Sequence, residues 1–209
     1  YIDEVQFDLV ENSDILNMKA VAGEIDMQLR HIMWTNYPLF IENAEKGDYR
    51  VIRWTLAEGS NCLMIPNHNH SDPVLRELFE TLNFRIALSL GMDRAQINEL
   101  AYMGLGKPRQ ASVIEECAWY KPEHGNRWVE RDLDEANKLL DDLGLEKGDD
   151  GFRLRPDGEP LTWEIQYAPV FGPWKDVIEM TVKQWEEIGL KVSVKELDRD
   201  LRGQRNQAN

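Results

Sequence analysis

Val5, Phe7 and Leu9 alternate with polar positions, which predicts a strand near 4–10. Ser13 or Asp14 is placed to cap a helix carrying Ile15, Leu16, Met18 and Val21. Gly23 falls where a left-handed C-terminal cap is needed. Ile25, Met27 and Leu29 alternate again. Strand, helix and strand in about thirty residues predict a βαβ unit with parallel strands. Asn36-Tyr37-Pro38 reads as a loop, and Ile41 to Lys46 as a short helix. Tyr49–Leu56 and Asn61–Pro66 read as two further strands.

Beyond a polar break at Asn67–Ser71 the period becomes helical. Asp72-Pro73 combines an N-cap with proline at the first helical position, and Leu75, Leu78, Phe79 and Leu82 form one face. Phe84, Ile86, Leu88 and Leu90 continue the apolar run to Gly91. Asp93-Arg94-Ala95-Gln96 opens a helix through Tyr102, and Asp132-Leu133-Asp134-Glu135 opens another that Gly144 stops. Between them, 104–126 reads as an ordered loop. Phe152 and Leu154 face Leu161, Trp163, Ile165 and Tyr167 across Pro156-Asp157-Gly158, the pattern of a hairpin. A helix from about Trp174 to Ile188 and an alternating Leu190, Val192 and Val194 make 161–194 a second βαβ unit. After Arg202 no terminal element is legible. The fold class is α/β in two blocks, 1–70 and 71–209, meeting near 67–72.

Composition narrows the function. A chain of 209 residues with 42% hydrophobic and 30% charged positions buries a real core. The formal charge of -14 argues against nucleic acid, whose phosphates demand clustered positive charge. No run approaches the ~20 apolar residues of a membrane span. Two cysteines, Cys62 and Cys117, do not make a disulfide scaffold, although a single bridge between them is open in an oxidising compartment. The chain opens on Tyr1 directly into a strand pattern, which reads as an excerpt of a longer protein; a cytosolic protein trimmed at both ends is the alternative.

Catalytic signatures are weak. His68-Asn69-His70 lacks a third and fourth donor at metal-site spacing. Asp149-Asp150-Gly151 lacks the alternating oxygens of a calcium loop and reads as a turn. Glu115-Glu116 beside Trp119-Tyr120 has the composition of a sugar-hydrolysing pair, but in so acidic a chain it reads first as a solvated loop. There is no nucleophile elbow, and Gly104-Leu105-Gly106 follows a helix instead of presenting a helix N-terminus to phosphate. No cofactor is expected. The aromatics remain. Trp163 and Trp185 fall on apolar faces and belong to the core. Trp34, Trp119, Tyr120, Trp128, Phe171 and Trp174 fall in or beside loops, where they cover a core edge or line a cleft.

Tyr1-Ile2-Asp3-Glu4-Val5-Gln6-Phe7 and Ala22-Gly23-Glu24-Ile25-Asp26 resemble the opening of the middle section of family 5 extracellular solute-binding proteins, the oligopeptide, dipeptide and nickel receptors of ABC importers. Phe84 through Arg94, Gly104-Leu105-Gly106-Lys107-Pro108, Asp134 through Leu140 with Gly144-Leu145, Arg155 through Leu161, and Glu187 through Val192 are similar to later segments of that family, in the same order. The resemblance covers nearly the whole chain.

It implies a periplasmic-binding-protein-like fold of type II, with two lobes that close on a solute by hinge motion. Residues 1–70 then resemble part of the first lobe and 71–209 most of the second, with Asn61–Asn67 crossing between them. The implied protein is no enzyme. It is a monomer outside the cytoplasmic membrane, periplasmic or lipid-anchored, that hands an oligosaccharide or oligopeptide to permease subunits. Trp119, Tyr120, Trp174 and Phe171 are the expected ligand wall, with Asn67 near the hinge and Trp34 on the first lobe. Asn61 to Asn67 and Trp119-Tyr120 look like the branch of the family with oligosaccharide-binding members. A ligand-sensing receptor on the same fold, and a glycoside or peptide hydrolase, are the alternatives.

Overall fold

A computed structural model describes residues 1–54, 57, 59–169 and 172–208. Two units emerge, Tyr1–Leu56 and Ala57–Asn209.

In the first unit, α1 (Ser13–Val21) is capped by Asn12, whose side chain accepts from the Ile15 N–H, and not by Ser13 or Asp14. Asn12 has the extended backbone a cap requires, whereas Ser13 is already helical. Gly23 has φ +75, and a Cβ there would lie 2.2 Å from the Gly47 carbonyl oxygen, so only glycine fits. α2 (Tyr37–Asn43) follows a 3-10 turn at Trp34–Asn36, with Pro38 in its first turn. Proline starts this helix instead of marking a loop, because the missing N–H is one the first turn leaves unpaired anyway. The strands expected at 4–10, 25–29 and 49–54 do not form among the described residues, and Thr55 and Leu56 lie outside them. Phe7 is 91% and Leu9 100% exposed. Alternation marks a face but supplies no partner, and an unpaired strand leaves its backbone groups to water. The first βαβ unit is therefore absent among the described residues.

The second unit is built around the aromatic side chains the sequence assigned to the core. Asp72 caps α3 (Pro73–Glu80), accepting from the N–H groups of Val74 and Leu75. Thr81 is extended and ends that helix, so the apolar run beyond it becomes a separate α4 (Leu82–Leu90). Asp93 caps α5 (Arg94–Tyr102), and Met103 ends it in the left-handed region at φ 55. A short α6 (Pro122–Asn126) interrupts the expected long loop. Asp132 caps α7 (Leu133–Asp142), which buries Ala136 and Leu140.

β1 (Thr162–Tyr167) and β2 (Lys191–Glu196) pair in parallel, with Trp163 opposite Val192 and Ile165 opposite Val194. α8 (Trp174–Glu186) connects them and buries Val177, Ile178 and Trp185. This is the βαβ unit expected over 161–194. The hairpin before it is reduced to two antiparallel bridges, Lys147 with Arg153 and Leu154 with Pro160. Asn61–Pro66 forms no strand. A helix the sequence did not suggest, α9 (Arg199–Ala208), follows β2 and buries nothing.

Phe79, Phe84, Trp163 and Trp185 meet edge-on or tilted, with ring centroids 5.8–6.1 Å apart. The Trp185 indole N–H donates to the Leu88 carbonyl at 2.8 Å, so its polar atom is satisfied inside the core. Gln184 ties α8 to α5 by accepting from the Asp93 N–H and donating to Gln96. Arg153 is fully buried. It donates to the Ile188 carbonyl at 2.8 Å, to Asp141 at 2.6 Å and to the Asn137 side chain at 2.7 Å, and also to the Leu145 carbonyl. One planar guanidinium thus joins α7 to the turn before β2.

Candidate solute-binding site

Parallel strands end on the same edge, and in open α/β sheets ligands bind outside that edge. Here β1 runs into Ala168 and Pro169, and β2 into Leu197, Asp198 and Arg199. With Glu196 these residues line a recess of about 410 Å³. The Tyr167 hydroxyl donates to Glu196 at 2.7 Å, and the Leu197 N–H donates to the Tyr167 carbonyl at 2.9 Å. Burial, reinforced by the Glu196 carboxylate, pushes the Tyr167 phenol up to about 12. Asp198 accepts from the Asp200 N–H at 2.8 Å and opens α9.

The residues expected from sequence fall into separate groups. Trp174, the first residue of α8, donates its indole N–H to the Asn61 carbonyl at 2.9 Å. The Tyr102 hydroxyl donates to the Asn61 side-chain oxygen at 2.8 Å. Phe171 lies outside the described residues. Trp119 and Tyr120 occupy the segment between α5 and α6. Trp119 is 80% exposed, whereas Tyr120 is half-buried under the Arg109 guanidinium, 5.9 Å from its ring centroid. Lys107 pairs with Glu115, and its hydrogen bond holds that carboxyl below the usual glutamate range. Gln110 roots the segment on α4, donating to Ser89 Oγ at 2.7 Å and to the Arg127 carbonyl at 3.0 Å.

Asn67 turns its side-chain oxygen onto the Asn69 N–H at 2.9 Å, closing a local turn. Trp34 belongs to the first unit and packs at 5.5 Å against Tyr37. Trp128 is partly buried against the large core and covers its edge. His70 accepts from the Asp72 N–H at 3.1 Å and packs edge-on to Phe79. Cys62 and Cys117 are free thiols, so the bridge left open by the sequence is not made.

Sequence reading missed Tyr167, Glu196 and Asp198. The available signal was positional: once 161–194 reads as βαβ, the residues just past each strand are the ones that face a ligand edge. Asn61 and Tyr102 carried no such signal, because their meeting depends on how the segment after residue 57 lies on α5 and α8.

A family model for bacterial extracellular solute-binding proteins, family 5 middle section, matches residues 1–209. A Deinococcus radiodurans protein described as "Probable ABC transporter-binding protein" is 25% identical over 207 residues, covering 93% of this chain and 33% of its own. Among solved structures, an oligopeptide-binding protein, OppA, is 41% identical with a TM-score of 0.77, over 95% of this chain and 32% of that one. The periplasmic binding protein MelB of Agrobacterium fabrum, solved with stachyose, shares the fold at 20% identity and a TM-score of 0.71, over 93% and 31%. The chain therefore spans about a third of the length of the relatives it matches. Among the described residues no helix is long and apolar enough to cross a membrane. With a match running from the first residue to the last, the chain belongs to the bacterial extracellular solute-binding proteins of family 5.

Proposed function

We propose that this chain is part of the receptor of an ABC importer and contributes one wall of a cleft that captures an oligopeptide for delivery to permease subunits. The observation that carries the reading is the 41% identity, over 95% of the chain, to a protein named for binding oligopeptides. The recess at the carboxyl ends of β1 and β2 is the matching physical feature. Its lining combines acidic side chains, Glu196 and Asp198, with the apolar Ala168 and Pro169, a mixture suited to a ligand that is polar along its backbone and variable in its side chains.

In this reading 71–209 supplies most of one lobe, 1–70 part of the other, and 61–67 the crossing between them. Trp174 and Asn67 belong to its ligand wall, and Phe171 and Trp34 are further candidates on their sequence positions alone. The protein acts as a monomer outside the cytoplasmic membrane and catalyses nothing. An oligosaccharide is the second reading, favoured by Trp119, a large aromatic face held out to solvent beside Tyr120. Sugar rings stack on such faces.

Thermal denaturation of the full-length protein that carries both lobes, with a mixed-sequence nonapeptide and with stachyose, separates the two. A solute at about 100 times its dissociation constant adds ~2.7 kcal/mol to the native state and raises the midpoint by several degrees. Stabilisation by the nonapeptide alone supports the first reading. Stabilisation by stachyose alone, abolished by Trp119→Ala, replaces it with the second. No shift with either removes both.

A further inference from the structure

Asn61 is the point where three segments of the second unit meet. Its side-chain oxygen accepts from Tyr102, the last residue of α5, and its carbonyl accepts from Trp174, the first residue of α8. The third segment is the connection leaving β1, represented by Gly172. A Cβ on Gly172 would lie 2.9 Å from Asn61 Oδ1 and 2.9 Å from Trp174 Nε1. The absence of that carbon lets the indole and the amide approach each other. The next residue, Cys62, inserts beside Ile97, Ala101 and Val177, so the docking is polar at Asn61 and apolar one step later.

From this geometry we infer that Tyr102 and Gly172 are positioning residues, which act through Asn61 to fix the Trp174 ring and to dock the segment beginning at residue 61 onto α5 and α8. The solute-related part of the inference rests on the importer-receptor reading. Ala168 and Pro169, which follow β1, line the recess of the proposed cleft; in that reading Trp174 belongs to the ligand wall and 61–67 is the crossing between lobes. A solute that presses on the first therefore acts on the hydrogen bonds that hold the second. Linkage makes the effect reciprocal: whatever loosens the dock weakens the solute.

The lock is testable without any solute. In protein with ¹⁵N-labelled tryptophan, the Trp174 indole N–H resonance is assigned by Trp174→Phe. Tyr102→Phe removes one hydroxyl and leaves the ring. It is expected to shift the Trp174 resonance while leaving that of Trp185, which bonds to Leu88, in place. Gly172→Ala, which leaves Tyr102 intact, is expected to move the same resonance.

Alkylation by iodoacetamide provides the second readout, in a Cys117→Ser background where Cys62 is the remaining thiol. Burial pushes the Cys62 thiol up to about 11, so it reacts slowly until the segment lifts and the thiol returns to its ordinary value. Loss of one hydrogen bond is expected to speed labelling about threefold to tenfold. A Trp174 resonance and a Cys62 rate both unchanged in Tyr102→Phe and in Gly172→Ala overturn the inference.

The same rates measured with the nonapeptide and with stachyose test the linkage. A bound probe is expected to slow Cys62 labelling in the unmodified lock. A probe that binds but leaves the rate unchanged overturns the linkage and spares the receptor reading. If neither probe binds, the two solute readings fail and the lock is judged on its solute-free measurements.

Discussion

Arg153 shows how a single side chain can stand in for secondary structure. The stretch between α7 and β1 has two isolated bridges where a full hairpin ladder was expected. Its carbonyls and those of neighbouring turns are satisfied by the guanidinium, which reaches Ile188, Asn137, Leu145 and Asp141 at once. Five donors in a fixed plane suit this task, and an ammonium on a flexible stem does not. Arg153→Met fills much of the same volume but leaves buried carbonyls and Asn137 without donors. It is expected to lower the stability of Ala57–Asn209 by about 3–5 kcal/mol, read as a drop in the urea midpoint. Arg153→Lys, which restores the charge without the fork, is expected to recover less than half of the loss. Full recovery by lysine would show that charge, and not planar geometry, holds this region.

At the level of elements, the caps decide where helices begin, and α3 gives the clearest case. Asp72 accepts from two backbone N–H groups of α3 and pairs with Arg155 at 2.7 Å across the turn before β1. The Leu75 N–H first, and Arg155 after it, hold its carboxyl below the ordinary aspartate value of 3.8. A carboxyl depressed in the folded state stabilises the fold fully above its unfolded value, and that contribution disappears as pH falls through the lower folded value. The melting midpoint of Asp72→Ala is therefore expected to lie below that of the native chain by a constant gap from about pH 8 to pH 5, and the gap is expected to close below about pH 4. A gap that persists unchanged into acid would mean that the side chain acts through packing alone.

The caps at Asp72, Asp93 and Asp132 were legible because each acts within four residues of itself. So was the βαβ unit at 161–194, since its two apolar strands pair with each other and are joined by a helix whose apolar face packs on the same core. The segments at 4–10, 25–29 and 61–66 alternate just as well and form no strand, because pairing is a non-local property that alternation cannot report. α9 went unread for the opposite reason. It buries nothing, so it shows no apolar stripe, and its only local signal is the cap at Asp198. The candidate site was legible only as residue types. Aromatic residues beside loops were nameable from sequence, but Tyr167–Glu196 and Asn61–Tyr102 are long-range pairs that the fold alone creates.

For the whole molecule, the two units differ sharply in what they bury. Among the described residues, Leu16 and Phe40 are the buried apolar side chains of Tyr1–Leu56, and every other one lies in Ala57–Asn209. Val5, Phe7, Met27, Ile52 and Trp54 are exposed instead. The second unit has a contiguous core through α3, α4, α7, α8 and both strands. Unfolding of this chain is therefore expected not to be a single two-state event. Hydrogen exchange followed by mass spectrometry should find amides of 1–54 exchanging faster than those of the second unit. Peptides from α4, α8 and β2 should be protected by the full stability of their unit. Phe84→Ala, which empties a fully buried site, is expected to destabilise the second unit by about 3–5 kcal/mol, speeding exchange in α4 and α8 while leaving the rate in 1–54 unchanged. Acceleration in both units to the same degree would show that they fold as one cooperative body, and that burial within each unit does not set its stability.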